Sequence, residues 1–147
     1  GNGDITMDWI VHVLKRTVDT QYRTKADRRH TFLAGSSMGG LMTLYGLLVY
    51  PEVFSRGAAL SPSLWIDAEK VKAMIRHARV KRNTVLYMDY GALEFADHPH
   101  SRSLFAEVSA LLIEKRVLLN SRIVPRGTHC EASWEKQIPF FMKTLFE

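Results

Sequence analysis

Residues 31–51 read TFLAGSSMGGLMTLYGLLVYP, and the fold follows from how this stretch divides. Thr31-Phe32-Leu33-Ala34 is a short apolar run that ends at Gly35, as a buried strand does. Residues 39–50 are apolar nearly all round and stop at Pro51, which predicts a buried helix. A buried strand that passes within a few residues into a buried helix is the repeating unit of an α/β protein with a parallel sheet.

The flanks repeat the unit. Upstream, Ile10, Leu14, Val18 and Tyr22 recur every four residues, predicting an amphipathic helix over 4–22 with Asp4 as its N-cap. Downstream, Gly57 to Leu60 is a second strand, followed by the turn Ser61-Pro62-Ser63. Asp67 caps a predicted helix that runs to about residue 80, with Val71, Met74, Ile75 and Ala78 inward. Val85 to Met88 is the clearest strand and ends at Asp89-Tyr90-Gly91. Leu104, Val108, Leu111 and Leu112 mark another helix, and a last strand covers roughly Arg122 to Val124. The C-terminal helix places Trp134, Ile138, Phe141 and Leu145 on one side, with Trp134 read as a core aromatic and a kink at Pro139. The expected fold is α/β: a helix, then four strand–helix units, with a short, mainly parallel sheet of about four strands flanked by helices.

The 147 residues suit one domain over 1–147, and 46% hydrophobic with 24% charged residues excludes a disordered chain. No run approaches the ~20 apolar residues of a membrane span, so no membrane partner is expected. Cys130 is the only cysteine, which rules out an internal disulfide and a four-thiolate zinc site. The N-terminus lacks the pattern of a secretory signal, so the cytoplasm is the expected compartment. The net charge of +5 comes largely from Arg23, Lys25, Arg28 and Arg29 and from Lys70, Lys72, Arg76, Arg79, Lys81 and Arg82. No nucleic-acid-binding signature accompanies them, and the second cluster reads as the solvated face of a helix.

The turn inside the opening stretch, Gly35-Ser36-Ser37-Met38-Gly39, matches G-x-S-x-G between a strand and a helix. That context is a nucleophile elbow: small residues at both glycine positions let strand and helix approach, and the serine hydroxyl is lifted out of the sheet. The Met38 backbone N–H then points to where an oxyanion would form. A serine needs a base. Of the six histidines, His129 follows the last strand, in a loop at the carboxyl end of the sheet where Ser37 also sits. The acid should leave the strand between them, where Asp89, Glu94 and Asp97 compete; Glu94, three residues past Gly91, is preferred. His98-Pro99-His100 reads as a turn rather than a metal site, and Cys130 as a small packed residue rather than a rival nucleophile. Ser36, Ser61, Ser63 and Trp65 are expected to line the substrate pocket, since they adjoin the nucleophile or leave the neighbouring strand.

Residues 22–65, YRTKADRRHTFLAGSSMGGLMTLYGLLVYPEVFSRGAALSPSLW, closely resemble the putative-esterase family of α/β-hydrolases. The tail GTHCEASWEKQIPFFMKTLF is similar to the family's segment around its catalytic histidine. The resemblance implies Ser37 as nucleophile, His129 as base and an acid from the turn starting at Gly91, where Glu94 fits. It implies a serine carboxylesterase for short-chain or small activated esters, working through an acyl-enzyme without cofactor or metal. The alternative is a non-catalytic module that keeps the motifs. Family members carry a long portion ahead of the position of Asp4, which builds half the sheet and donates a second oxyanion N–H. On that comparison this chain is a truncated α/β-hydrolase whose nucleophile strand is an edge, and a homo-oligomer through that edge is expected. Loss of one oxyanion donor costs ~10²–10³ in turnover. Ser36, Ser63 or a partner chain would have to supply the replacement.

Overall fold

The structure, a computed structural model, describes residues 2–97 and 100–147, without the side chains of Ala96 and Asp97. Four strands, β1 (Phe32–Ser36), β2 (Arg56–Leu60), β3 (Val85–Gly91) and β4 (Leu118–Val124), form a parallel sheet in the order β1-β2-β3-β4. The register pairs Phe32 with Arg56, Arg56 with Val85, and Val85 with Leu118. Each strand is followed by helix: α3 (Met38–Val49), α4 (Ala68–His77), α5 (Glu94–Asp97) with α6 (Ser101–Glu114), then α7 (Glu131–Glu135) with α8 (Ile138–Phe146).

Alternation along the strands divides the core between the two faces of the sheet. Ala59, Leu86, Met88 and Tyr90 point to the face covered by α3, α4 and α6, where Leu44, Leu47, Ile75 and Val108 pack. Ala58, Leu60 and Tyr87 point the other way, against Leu145 and Phe141 of α8. Asp67 caps α4 as expected, its side chain accepting the Lys70 N–H.

The opening helix departs from the sequence reading. It comprises α1 (Gly3–Trp9), a π-helical turn (Ile10–Leu14) and α2 (Lys15–Gln21). Asn2 precedes its first turn and makes no side-chain cap bond, so Asp4 lies inside the first turn instead of capping it. Met7 and Val11 are the buried residues, while Leu14, Val18 and Tyr22 are exposed. A strict four-residue spacing drifts ~40° per step against a 3.6-residue helix. The stripe therefore winds off the surface where Met7 meets Gly46 of α3. At the other end, Pro139 does not kink a continuous helix. It occupies the first turn of α8, where its missing N–H breaks no bond, and α7 is a separate helix.

β1 is an edge. Ser37 N–H donates to the Leu60 carbonyl and the Thr31 carbonyl accepts from Ser55, so odd-numbered residues face β2. The backbone groups of Phe32, Ala34 and Ser36 face outward. The basic helix α4 is threaded with acids: Lys70 pairs with Asp67 at 2.7 Å, and Lys72 with Glu69 at 2.7 Å and Glu107 at 3.0 Å. Among the described residues, no helix is long and apolar enough to cross a membrane.

Candidate active site

The turn after β1 holds Ser37 at φ 54°, ψ −119°, a backbone region that side chains other than glycine seldom occupy. Such strain costs ~1–3 kcal/mol and persists only where the surroundings impose it. Three hydrogen bonds do so: Ser37 N–H to the Leu60 carbonyl at 2.9 Å, and the Ser37 carbonyl accepting from Leu41 at 3.1 Å and Ser63 at 3.1 Å. The motif's glycines divide their roles differently from the sequence reading. A Cβ on Gly35 would lie 2.5 Å from the Gly39 carbonyl carbon, whereas a Cβ on Gly39 would meet nothing within 4 Å. Gly40 is the second close approach, 3.0 Å from the Leu60 carbonyl and from Pro62. Met38 begins α3, so its N–H has no carbonyl one turn earlier in the helix to accept it.

His129 reaches this serine from the loop between β4 and α7. Its Nε2 lies 2.8 Å from Ser37 Oγ and its Nδ1 lies 2.7 Å from Glu94 Oε2. A carboxylate accepts only, so the proton sits on Nδ1 and Nε2 is left to accept the Ser37 hydroxyl. Glu94 is buried at the start of α5, and its other oxygen, Oε1, accepts from Gly91 N–H at 2.8 Å.

Two glycines bring the acid and the histidine together. A Cβ on Gly91 would stand 2.5 Å from the Gly127 carbonyl, and one on Gly127 would stand 2.8 Å from Gly91 Cα. The contact is tied by Leu93 N–H to the Gly127 carbonyl at 3.0 Å and by Ala92 N–H to the Val124 carbonyl at 2.9 Å. Neither glycine has a positive φ, so close approach, and not turn geometry, is what they provide.

The remaining sequence candidates fall as follows. Asp89 lies inside β3, fully buried, and accepts from Tyr87 Oη at 2.8 Å and Ser61 N–H at 3.1 Å. Burial pushes its carboxyl above the ordinary aspartate value, and bonds from Tyr87 and Ser61 oppose that. The Asp97 side chain and His98-Pro99 lie outside the described residues. Ser63 is buried with Oγ 3.2 Å from Ser37 Oγ. Ser36 closes β1, and Trp65 is half exposed on the 3-10 turn after Ser63. Cys130 Sγ lies 3.2 Å from Thr128 Oγ1 while both nitrogens of the adjacent His129 are engaged elsewhere.

One reading is corrected. Ser61 and Ser63, expected in the substrate pocket, are buried at 1% and 2% exposure, and the Ser61 hydroxyl donates to Glu94 Oε1 at 2.7 Å. Trp134 packs, partly buried, against the core cluster of Ala58, Leu60, Tyr87 and Leu145 as expected, and its indole N–H donates to Ser61 Oγ at 3.0 Å. Its ring also stands edge-on to His129, with centroids 5.0 Å apart. The amphipathic nature of tryptophan was the available signal, since a half-buried indole needs an acceptor for its N–H.

The chain resembles several proteins of known name. It is 35% identical over 71 residues to an iron(III) salmochelin esterase of Escherichia coli O6:H1, which covers 48% of this chain and 17% of that protein. The solved enterochelin esterase of Shigella flexneri superposes with a TM-score of 0.76 at 23% identity, over 96% of this chain and 37% of that one. A ferulic acid esterase superposes with a TM-score of 0.73 at 16% identity, over 95% of this chain and 59% of that one. The chain thus spans less than two thirds of each, and the two superpositions establish an α/β-hydrolase-type fold. The model of the family described as "Putative esterase" matches residues 5–143. With nearly its whole length matched, the chain belongs to that esterase family.

Proposed function

We propose that this chain is a serine carboxylesterase, with Ser37 as nucleophile, His129 as general base and Glu94 as the orienting acid. The observation that carries the reading is the unbroken Ser37–His129–Glu94 hydrogen-bond chain at 2.8 and 2.7 Å, set on a strained strand–helix turn. In the reaction Ser37 Oγ attacks the ester carbonyl as Nε2 of His129 takes its proton. The imidazolium is paired with the buried Glu94 carboxylate, and the tetrahedral oxyanion is met by the Met38 N–H and the positive end of α3. Collapse expels the alcohol, which His129 protonates. Water, deprotonated by His129, then attacks the acyl-Ser37; the acyl–Oγ bond breaks, His129 returns the proton to Ser37 Oγ, and the acid leaves.

Short-chain and activated esters are the proposed substrates. The identity to the salmochelin esterase favours a second reading of the same site, in which the scissile bond belongs to an iron-siderophore ester. The test is hydrolysis of 4-nitrophenyl acetate and butyrate, and of a ferric catecholate triester, by wild type and Ser37→Ala. Loss of at least ~10³ in kcat/KM on substitution is expected for whichever ester is the substrate. Unchanged hydrolysis would remove Ser37 from the mechanism, and no hydrolysis of any ester by wild type would favour a non-catalytic module.

A further inference from the structure

Ser61 and Trp134 form a directed hydrogen-bond relay that ends on the acid of the proposed triad. Each bond's direction is forced. An indole N–H can only donate, so Ser61 Oγ must accept from Trp134 Nε1, at 3.0 Å. The serine's single hydroxyl proton is then left for Glu94 Oε1, at 2.7 Å. With Gly91 N–H on the same oxygen at 2.8 Å, Oε1 holds two donors and Oε2 alone faces His129 Nδ1. The carboxylate plane is thereby fixed.

The relay is itself held. Ser61 has φ 41°, a strained value for serine, and its N–H is bonded to both the carbonyl and Oδ1 of Asp89, each at 3.1 Å. Trp134 is anchored through its ring, partly buried against the cluster of Ala58, Leu60, Tyr87 and Leu145 and edge-on to His129. The indole therefore touches the base directly and the acid through one hydroxyl.

We infer that Ser61, oriented by Trp134, is a positioning residue that holds Glu94 in the rotamer presenting Oε2 to His129. This rests on the serine-esterase reading, and the experiment separates the two. Ser37→Ala first establishes whether hydrolysis depends on the triad. Ser61→Ala and Ser61→Gly then remove the hydroxyl, the second variant also relieving the positive φ. Trp134→Phe removes the N–H, together with part of the ring, and leaves Ser61 in place.

Both Ser61 variants are expected to lower kcat ~10- to 100-fold with KM unchanged within about threefold, the range for a hydrogen bond to a charged group. Trp134→Phe should lower kcat less. In a Glu94→Ala background each substitution should change kcat less than about twofold, because the residue acts through Glu94. The downfield NMR resonance of the His129 Nδ1 proton should weaken or move in Ser61→Gly, in wild type and Ser37→Ala alike. Wild-type kcat in both Ser61 variants would overturn the inference. So would a raised KM at unchanged kcat, which marks a pocket residue, or the same loss in the Glu94→Ala background, which marks a general structural role. Hydrolysis indifferent to Ser37→Ala would instead defeat the esterase reading, and the resonance would still report the relay.

Discussion

Replacing Gly91 by alanine tests the joint on which the site depends. The added Cβ would lie 2.5 Å from the Gly127 carbonyl carbon and oxygen and 2.6 Å from Glu94 Oε1, where ordinary contact begins at 3.4 Å. Relief requires the end of β3 and the loop after β4 to part by about 0.9 Å, and the neighbours that must yield are backbone atoms and the acid itself. That loop carries His129. A displacement of this size takes its bonds to Glu94 and Ser37, now 2.7 and 2.8 Å, past hydrogen-bonding length. The expected loss is ~10²-fold in kcat, the typical consequence of a 1 Å misplacement. Overpacking should also cost ~1–3 kcal/mol, lowering Tm by ~3–10 °C. Gly127→Ala, whose Cβ would meet Gly91 Cα at 2.8 Å and Val124 at 3.0 Å, should follow in the same direction but less far. Ester hydrolysis well below each variant's Tm, with circular dichroism for the fold, measures both quantities. Wild-type kcat and Tm for Gly91→Ala would refute the idea that backbone contact sets the distance between acid and base.

The elbow glycines should separate: Gly35→Ala drives a Cβ into the Gly39 backbone and should abolish hydrolysis, whereas Gly39→Ala enters open space. Gly39→Ala should keep activity within a few-fold and gain up to ~1 kcal/mol, read as Tm, and the reverse order would contradict the contacts. For Asp89, a folded-state pKa raised by burial means the folded protein binds more protons between the ordinary aspartate value and the raised one. Stability contributed at low pH is then lost as pH rises through that window. Asp89→Asn should match wild type in Tm below about pH 3.5 and exceed it near pH 7.5, since other groups titrate alike in both. An equal difference at both pH values would show that Asp89 is not driven toward its neutral form. At the edge strand, we propose that a second copy pairs antiparallel across a two-fold axis at Ala34. Ala34 then opposes itself and Phe32 opposes Ser36, and every outward backbone group of β1 is paired. Sedimentation should give a dimer for wild type and a monomer for Ala34→Pro, and a monomeric wild type would dismiss the pairing.

What the amino-acid sequence discloses about this molecule divides by the range of the interactions involved. The strand–turn–helix over residues 31–51 was legible because its causes are neighbours in the chain: an apolar run, a small residue at Gly35, and an apolar helix closed by Pro51. β4 was legible only in its last three residues. LLNSRIV lies half exposed at the other sheet edge and carries no continuous apolar signal, so pairing with β3 defines it more than its own side chains do. Chain order and the end of the sheet narrowed the base to His129 and the acid to Asp89, Glu94 or Asp97, a topological rule that needs no contacts. Ser61 and Trp134 escaped because their chemistry is a meeting of residues 73 positions apart. A serine after a strand and an aromatic on a helical stripe each have an adequate local explanation. Their polar atoms have none until the fold supplies partners. Gly91 and Gly127 behave alike: singly each is a turn glycine, and only contact between them shows why neither position can carry a side chain. The acid–base distance is accordingly set by backbone packing between two loops, the quantity that local patterning expresses least. That is where substitutions outside the three proposed catalytic residues should weigh most heavily on turnover.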